Sequence, residues 1–577
     1  MRMVFLVLGA VLCVVGMTGF PRANENEQAG RTVRQTTGSD GAILFANGTI
    51  YINADKKAHN LLVKDGSVAG WNVRAEEHPS ATTVDLKGAT AYPGFIDSHC
   101  HLMEAGTVLE VGADLASCKD VDSIVNKLAE KIKSVPENGV VMGVGFSLTD
   151  YDKWTLQDLA NIDKVTGNRP AFLVDQLGHN AIINTATMKL VHLTPATPVP
   201  QGGMIIKESG RLTGMLRERA MSLPWSKIFA GLDSKDIKAG TLAMLNHWAS
   251  IGYSGAIDMM GAPGLRFMRP DVFMEMEKQG ILPLRIHYCY TILDLNDVAD
   301  AAKYMGNDTE LVRFLGCKIF IDGACAGGEA WTSWTNRLGG HGFPEIYTDD
   351  GHGEQLNLNR IVAKVEEYGM NMHYHVQGDM AIGAVLGALE KVRTEKGRIK
   401  GIHTLIHLAF PTDEQVERIK KFDGHVVTTV QPGFWAVETD GEHYYGEHAI
   451  HEYPISKLIE AGVSVGMSTD FSVSPIQYAP ATVVLGVAAT GGGNPEAHSP
   501  LKVRDVLHGF TVGSARTTGK NDTGKLDVGH KADMVVYDQD IYSISPVKFS
   551  KDCPKLLSTW VGGRKTFEAP EVSMPKQ

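Results

Sequence analysis

The sequence predicts an α/β protein: a (β/α)8 TIM barrel with an insertion, plus a small β-sandwich domain built from both ends of the chain. Three observations carry that expectation. From His99 to about Pro480, apolar strand-like runs alternate with amphipathic helical stretches, the pattern of βα units around a parallel sheet. Residues 41–92 and 525–567 are instead strand-and-turn sequence, and are expected to form the β domain together. Finally, the run from Pro93 through Phe95-Ile96-Asp97-Ser98 closes on His99-Cys100-His101, and barrels carry their active sites at the carboxyl ends of their strands.

The amino terminus has its own pattern. Met1-Arg2-Met3 is a short basic start, Val4 to Gly16 is almost wholly apolar, and polar sequence begins at Pro21. That is the plan of a secretory signal peptide, assigned to residues 1–23 with cleavage after Ala23; the apolar run is short for a membrane span. Leu12 stands before Cys13, where a lipoprotein signal wants a small residue. The expectation is a secreted or periplasmic protein with no stable membrane span after processing. The net charge of −11 and the lack of a long basic run argue against nucleic acid as a partner. The remaining cysteines, at 100, 118, 289, 317, 325 and 553, form no recognisable disulfide framework and read as small buried residues.

In chain order, Ala42–Tyr51 and Leu61–Ala69 read as hairpins turned by Asn47-Gly48 and Asp65-Gly66. The barrel is expected over residues 93–524. Its strand candidates are 140–145, 171–174, 254–258, 285–288, 318–321, 370–373, 404–407, 426–429 and 463–467. With the His99 strand these exceed eight, so an insertion is expected within about residues 105–235. The tail adds strands at 533–538 and 559–565, the second turned by Gly562-Gly563.

His99 and His101 stand one residue apart, so a strand aims both imidazoles at one point, as two ligands of a metal ion need. Four further strand-end residues complete the constellation: Lys318, His375, His407 and Asp470.

Here the chain resembles the amidohydrolase superfamily, and closely its amidohydrolase-3 branch of N-substituted formamide deformylase-like enzymes. Gly178-His179-Asn180, Leu212-Thr213-Gly214-Met215-Leu216-Arg217-Glu218 and the segment Gly524 to Asp533 belong to the same resemblance, which runs from about residue 41 to 567. It implies one or two divalent metals, with two zinc ions expected. His99 and His101 would bind the more buried ion, and Lys318, carboxylated on its amine, would bridge both. His375 and His407 would hold the second ion, with Asp470 touching the first. A protonated lysine has no lone pair for a metal, whereas its carbamate is an anionic oxygen donor. The resemblance further implies that His179 polarises the substrate carbonyl and that Asp470 moves the proton. Gly178, Glu329, Trp331 and Gln377, with loop 323–345, are the substrate-binding candidates. His373 reads as packing behind His375, and Asp379 as a helix cap or an orienting group. Two departures from the branch bear on substrate: Ile406 stands where it often has Glu, and Ala324–Glu329 replaces its commoner Ser-Leu-Gly-Ser run.

The expected activity is hydrolysis of a C–N bond (amide, N-acyl, N-formyl or imide) in a small molecule by a metal-activated hydroxide. An ester or other C–O or P–O hydrolase on the same centre is the alternative. A non-catalytic periplasmic binding or regulatory protein on a degenerate barrel is another, and the filled ligand positions count against it. The resemblance is also compatible with a homodimer.

Overall fold

Apolar runs of β-branched and aromatic residues, each closed by a polar residue, form the barrel. In this computed structural model, residues 41–148, 153–176, 178–229, 231–261, 265–436, 441–470, 481–493, 498–545, 549 and 553–570 are described. Residues 1–23, expected to be a signal peptide, lie outside them. The barrel strands are β1 (Phe95–Cys100), β2 (Tyr253–Asp258), β3 (Arg285–Thr291), β4 (Val312–Phe320), β5 (Asn371–Val376), β6 (His403–His407), β7 (Val426–Val430) and β8 (Val465–Met467). They lie side by side in chain order, every pair parallel. β8 returns to β1: Ser98 Oγ donates to the Met467 carbonyl at 2.9 Å, and the Asp470 N–H donates to the His99 carbonyl at 3.0 Å.

The two surplus strand candidates belong elsewhere. Val141–Phe146 and Ala171–Asp175 sit in a second sheet with Ala113–Asp114, Asn180–Ile183, Gly203–Glu208 and Arg211–Glu218. This sheet has its own apolar core, including Leu115, Ile124, Phe146, Ile162, Leu173 and Met215. It lies between β1 and β2 in the chain, inside the expected window 105–235. The ends of that window fall within two helices, Leu102–Val111 and Ser234–Ser250, which pack on each other.

The crossing of those helices depends on two glycines. A Cβ on Gly240 would lie 2.3 Å from the Gly106 carbonyl oxygen, and one on Gly106 would lie 2.5 Å from that of Gly240. Backbone stands where a side chain would go, so the helices would have to separate. Gly240→Val is expected to lower stability by about 1–3 kcal/mol, read from the urea unfolding midpoint; an unchanged midpoint would show that the crossing is not close-packed.

The ends of the chain build two further sheets. One joins Ile43–Ala46, Leu61–Lys64, Ser67–Trp71 and Thr82–Asp85; the other joins Thr49–Asn53, Lys56–Ala58, Thr90–Pro93, Met534–Tyr537, Leu556–Val561 and Arg564–Glu568. Phe45, Ile50, Ile52, Val63, Ala91, Met534 and Trp560 from both sheets share one apolar cluster. Asp65-Gly66 turns an antiparallel hairpin, both residues at positive φ. Asn47-Gly48 does not. It is a corner that carries the chain from the first sheet to the second, because Ile43–Ala46 pairs with Leu61–Lys64 and Thr82–Asp85 while Thr49–Asn53 pairs with Thr90–Pro93. Buried Arg285 of β3 fixes this region to the barrel through Asp533, at 2.8 and 3.1 Å.

Candidate functional site

The carboxyl ends of the strands bring the predicted residues together. His99 is the last residue but one of β1 and His101 follows the strand; their rings lie 5.2 Å apart, and those of His99 and His407 5.4 Å. His375, on β5, has its ring centre 4.5 Å from that of His407. Asp470 stands between the two pairs. Its Oδ1 is 3.0 Å from His99 Nε2 and 3.5 Å from His101 Nε2, and its Oδ2 is 3.7 Å from His407 Nδ1. Left-handed backbone at His407 (φ 71) and Asp470 (φ 51) breaks strand alternation at both residues. Such conformations are uncommon for these residue types and cluster at functional sites.

Lys318 lies inside β4, in register with Thr291 and His373, and the strand begins at Val312, ahead of the run in which the sequence places it. Its side chain is wholly buried and its Nζ finds no hydrogen-bond partner among the described residues. Burial pushes the Lys318 ammonium down to about 7, so a neutral amine is accessible near neutral pH. The same burial holds His99 and His375 well below the usual imidazole range, and His407 at about 4. Burial works to raise the Asp470 carboxyl, yet the imidazoles of His99, His101 and His407 keep it well below its ordinary value.

These are the protonation states a metal site requires: neutral imidazoles, an ionised carboxylate and an unprotonated amine. His99 Nδ1, His101 Nδ1 and His375 Nε2 are buried without a protein partner among the described residues, and His99, His407 and Asp470 offer ligand atoms within 4.8 Å of one another. A divalent cation fits this donor set. Folding around a neutral lysine also has a cost. The unfolded chain binds that proton up to about pH 10.5 and the folded chain only up to about 7. The penalty is therefore full below pH 7 and fades as pH rises toward 10.5. In metal-free protein, Lys318→Met is expected to raise Tm by at least ~2 °C at pH 7. The gain shrinks as pH approaches 10; a gain independent of pH would contradict a buried neutral amine.

The inserted sheet supplies His179. Gly178 takes φ 77, and Asp175 accepts the His179 and Asn180 N–H groups at 3.0 and 3.1 Å, so the turn is held from behind. The His179 ring reaches the barrel 5.3 Å from that of His375. Its Nδ1 lies 2.9 and 2.8 Å from the two carboxylate oxygens of Glu218, which burial raises to about 7. Burial lowers His179 itself.

The other substrate candidates are anchored by neighbours. Glu329 is buried against Arg217, Nη2 to Oε1 at 2.5 Å. Asp322 accepts the N–H groups of Trp331, Gln377 and Gly378, at 2.9, 3.0 and 2.8 Å, and so ties loop 323–345 to the end of β5. Trp331 is half-buried, and the Gln377 side chain accepts from Cys325 Sγ at 3.1 Å. His373 is buried beside Lys318. Asp379 opens the helix Asp379–Lys396 and accepts from the Ser333 N–H at 2.9 Å.

Sequence reasoning missed several supporting residues. Gln431 Oε1 lies 2.9 Å from His407 Nδ1, which leaves Nε2 as the lone-pair nitrogen of that ring. Asp97 accepts from Trp248 Nε1 and from the N–H and Oγ of Thr469, so it locks the segment before Asp470 against β1. Gln431 closes an apolar strand just as the predicted ligands do, and that signal was present; Asp97 stands in the run that ends on His99, and Asp322 just after the strand candidate 318–321, without a spacing that marks either.

The chain is similar to known proteins over most of its length. A family model described as "Amidohydrolase family" matches residues 82–567. The putative amidohydrolase YtcJ of Bacillus subtilis is 25% identical over 91% of this chain and 99% of its own. The N-substituted formamide deformylase of Arthrobacter pascens is 23% identical over 92% of this chain and 98% of its own. Among solved structures, an uncharacterized metal-dependent hydrolase from Pyrococcus horikoshii superposes with a TM-score of 0.69 at 24% identity, covering 88% of this chain and 99% of that one, a likeness of fold.

Proposed function

The chain belongs to the amidohydrolase family, and from that premise we propose that it is a metal-dependent hydrolase of non-peptide C–N bonds in small molecules: amides, N-acyl or N-formyl compounds, or imides. The observation that carries the reading is the cluster of buried His99, His375 and His407 with partly exposed His101 and Asp470, beside a buried Lys318 whose Nζ has no hydrogen-bond partner among the described residues. The deformylase among the relatives supports an N-formyl or N-acyl substrate.

His99, His101, His375, His407 and Asp470 would hold the metal, with Lys318 as a bridging carbamate if two zinc ions bind. The metal supplies positive charge that polarises the carbonyl and makes water nucleophilic. Asp470, kept ionised by its three histidines, accepts the proton of the attacking water and delivers it to the leaving nitrogen as the C–N bond breaks, giving a carboxylic acid and an amine, or an amide where the substrate is an imide. His179 reaches in from the inserted sheet beside His375 to polarise the substrate carbonyl. Loop 323–345 and Gln377 shape the pocket around it, and the two terminal sheets are read as one β-sandwich domain.

The test is turnover of a panel of N-formyl, N-acyl, cyclic imide and ester compounds by zinc-loaded protein, with metal content measured alongside. Cleavage of esters alone would replace the C–N reading, and stoichiometric absence of metal would sink it. Export belongs to the same proposal, supported by the basic start and the apolar run Val4–Gly16. Intact mass of the exported protein is expected to lack roughly the first twenty residues; protein found in the cytosol with Met1 in place would refute export.

A further inference from the structure

The motif Leu212–Glu218 has so far been a family signature without a role. Its last residue, Glu218, ends the strand Arg211–Glu218 of the inserted sheet at φ 49, a left-handed conformation that glutamate rarely adopts. That conformation directs a fully buried carboxylate at His179. The two residues hold each other twice: the Glu218 N–H donates to the His179 carbonyl at 2.9 Å, and the Glu218 carboxylate meets the His179 ring at Nδ1. The Ala324 N–H donates to Glu218 Oε1 at 3.3 Å, and the Arg217–Glu329 ion pair packs beside it.

Two details fix the chemistry. The approach is symmetric, 2.9 and 2.8 Å to the two oxygens, the geometry of one ring N–H shared between the lone pairs of a carboxylate. A carboxyl O–H donating to Nδ1 would favour one oxygen. Moreover, only the Nδ1 edge faces Glu218, while the ring lies against His375 and Phe320. A group that fixes the proton on one imidazole nitrogen determines what the other nitrogen can do.

We propose that Glu218 is a positioning residue of the hydrolytic reaction. It holds a proton on His179 Nδ1, turns Nε2 toward the metal-ligand histidines, and supplies the negative charge that steadies an imidazolium as charge develops on the substrate oxygen. The inference rests on the reading of His179 as the group that polarises the carbonyl. Glu218 acts through His179, as a buried acid does behind a catalytic histidine; its other partners are the Ala324 N–H and the Glu329 carboxyl.

The test has two arms. In the first, zinc-loaded wild type, Glu218→Gln, His179→Ala and the double variant are assayed with N-(4-nitrophenyl)formamide, with metal content and Tm as controls. Glu218→Gln is expected to lower kcat by about 10–100-fold with KM within about threefold, and to cause no further loss in the His179→Ala background. A purely structural role would give losses that multiply. His179→Ala at wild-type kcat would overturn the reading of His179. An inactive His179→Ala beside an unaffected Glu218→Gln, or multiplying losses in the double variant, would overturn the present inference alone.

The second arm needs no turnover. In metal-free wild type labelled with 15N-histidine, the His179 ring, assigned through His179→Gln, is expected to carry its proton on Nδ1, with that proton shifted far downfield. Nδ1 found unprotonated, accepting from Glu218, would overturn the proposal.

Discussion

Asp470→Asn is expected to lower kcat by about 10²–10⁴ while most of the metal stays bound. Asparagine keeps one oxygen near the position of Oδ1 or Oδ2, each of which stands within 3.7 Å of an imidazole nitrogen. It cannot take up a proton under any condition at which the protein is folded. The distinction is sharp because three histidines hold the native carboxyl far below its ordinary range. The aspartate is therefore ionised near neutral pH, and the amide carries no charge. Steady-state kinetics with metal analysis on the same sample decide the matter. Wild-type kcat would exclude the proton transfer assigned to Asp470, and loss of metal in step with activity would make the residue a ligand only.

Lys318→Ala is expected to cost about 10²-fold or more in activity, and short-chain carboxylic acids are expected to restore part of it. A wholly buried ammonium without a hydrogen-bond partner would repel any dication held by the neighbouring histidines. Desolvation instead makes the neutral amine available. In the proposed centre that amine would add carbon dioxide with loss of one proton and become an anionic carbamate. Acetate or propionate diffusing into the space left by alanine would supply the same two oxygens. Lys318→Arg keeps a permanent positive charge in a planar head group and is expected to be inactive without rescue. Full activity in Lys318→Ala, or rescue of Lys318→Arg by the same acids, would remove the bridging role.

Much of this site could be read from the sequence because its residues close strands. His99, His407 and Asp470 each follow an apolar run, and a barrel gathers such ends at one mouth whatever the loop lengths between them. The surplus of strand-like runs also located the inserted sheet. What stayed hidden depends on approach through space rather than along the chain. Nothing in Leu212–Glu218 says that its glutamate will meet a histidine thirty-nine positions earlier. That contact exists because Asn180–Ile183 and Arg211–Glu218 pair antiparallel, with Asn180 opposite Arg217. The Asn47-Gly48 corner misled for a related reason: turn chemistry specifies a reversal or bend, and only sheet partners decide which strands it joins.

The pairing of Tyr92 with Val535 has a consequence for how the protein is made. Thr90–Pro93 is synthesised early, yet one of its neighbours in the sheet, Met534–Tyr537, emerges from the ribosome about 440 residues later. At about 5–20 residues per second, that is a wait of roughly 20–90 s. Throughout it, the edge that Met534–Tyr537 will cover stays open, and a nascent chain with an unpaired strand edge is prone to aggregate. Closing so long a loop is thermodynamically mild, since the entropic cost grows only with the logarithm of its length. The burden falls on timing: that sheet cannot be completed until the carboxyl-terminal strands arrive, and a chain truncated before Met534 is expected to leave the edge of Thr90–Pro93 uncovered.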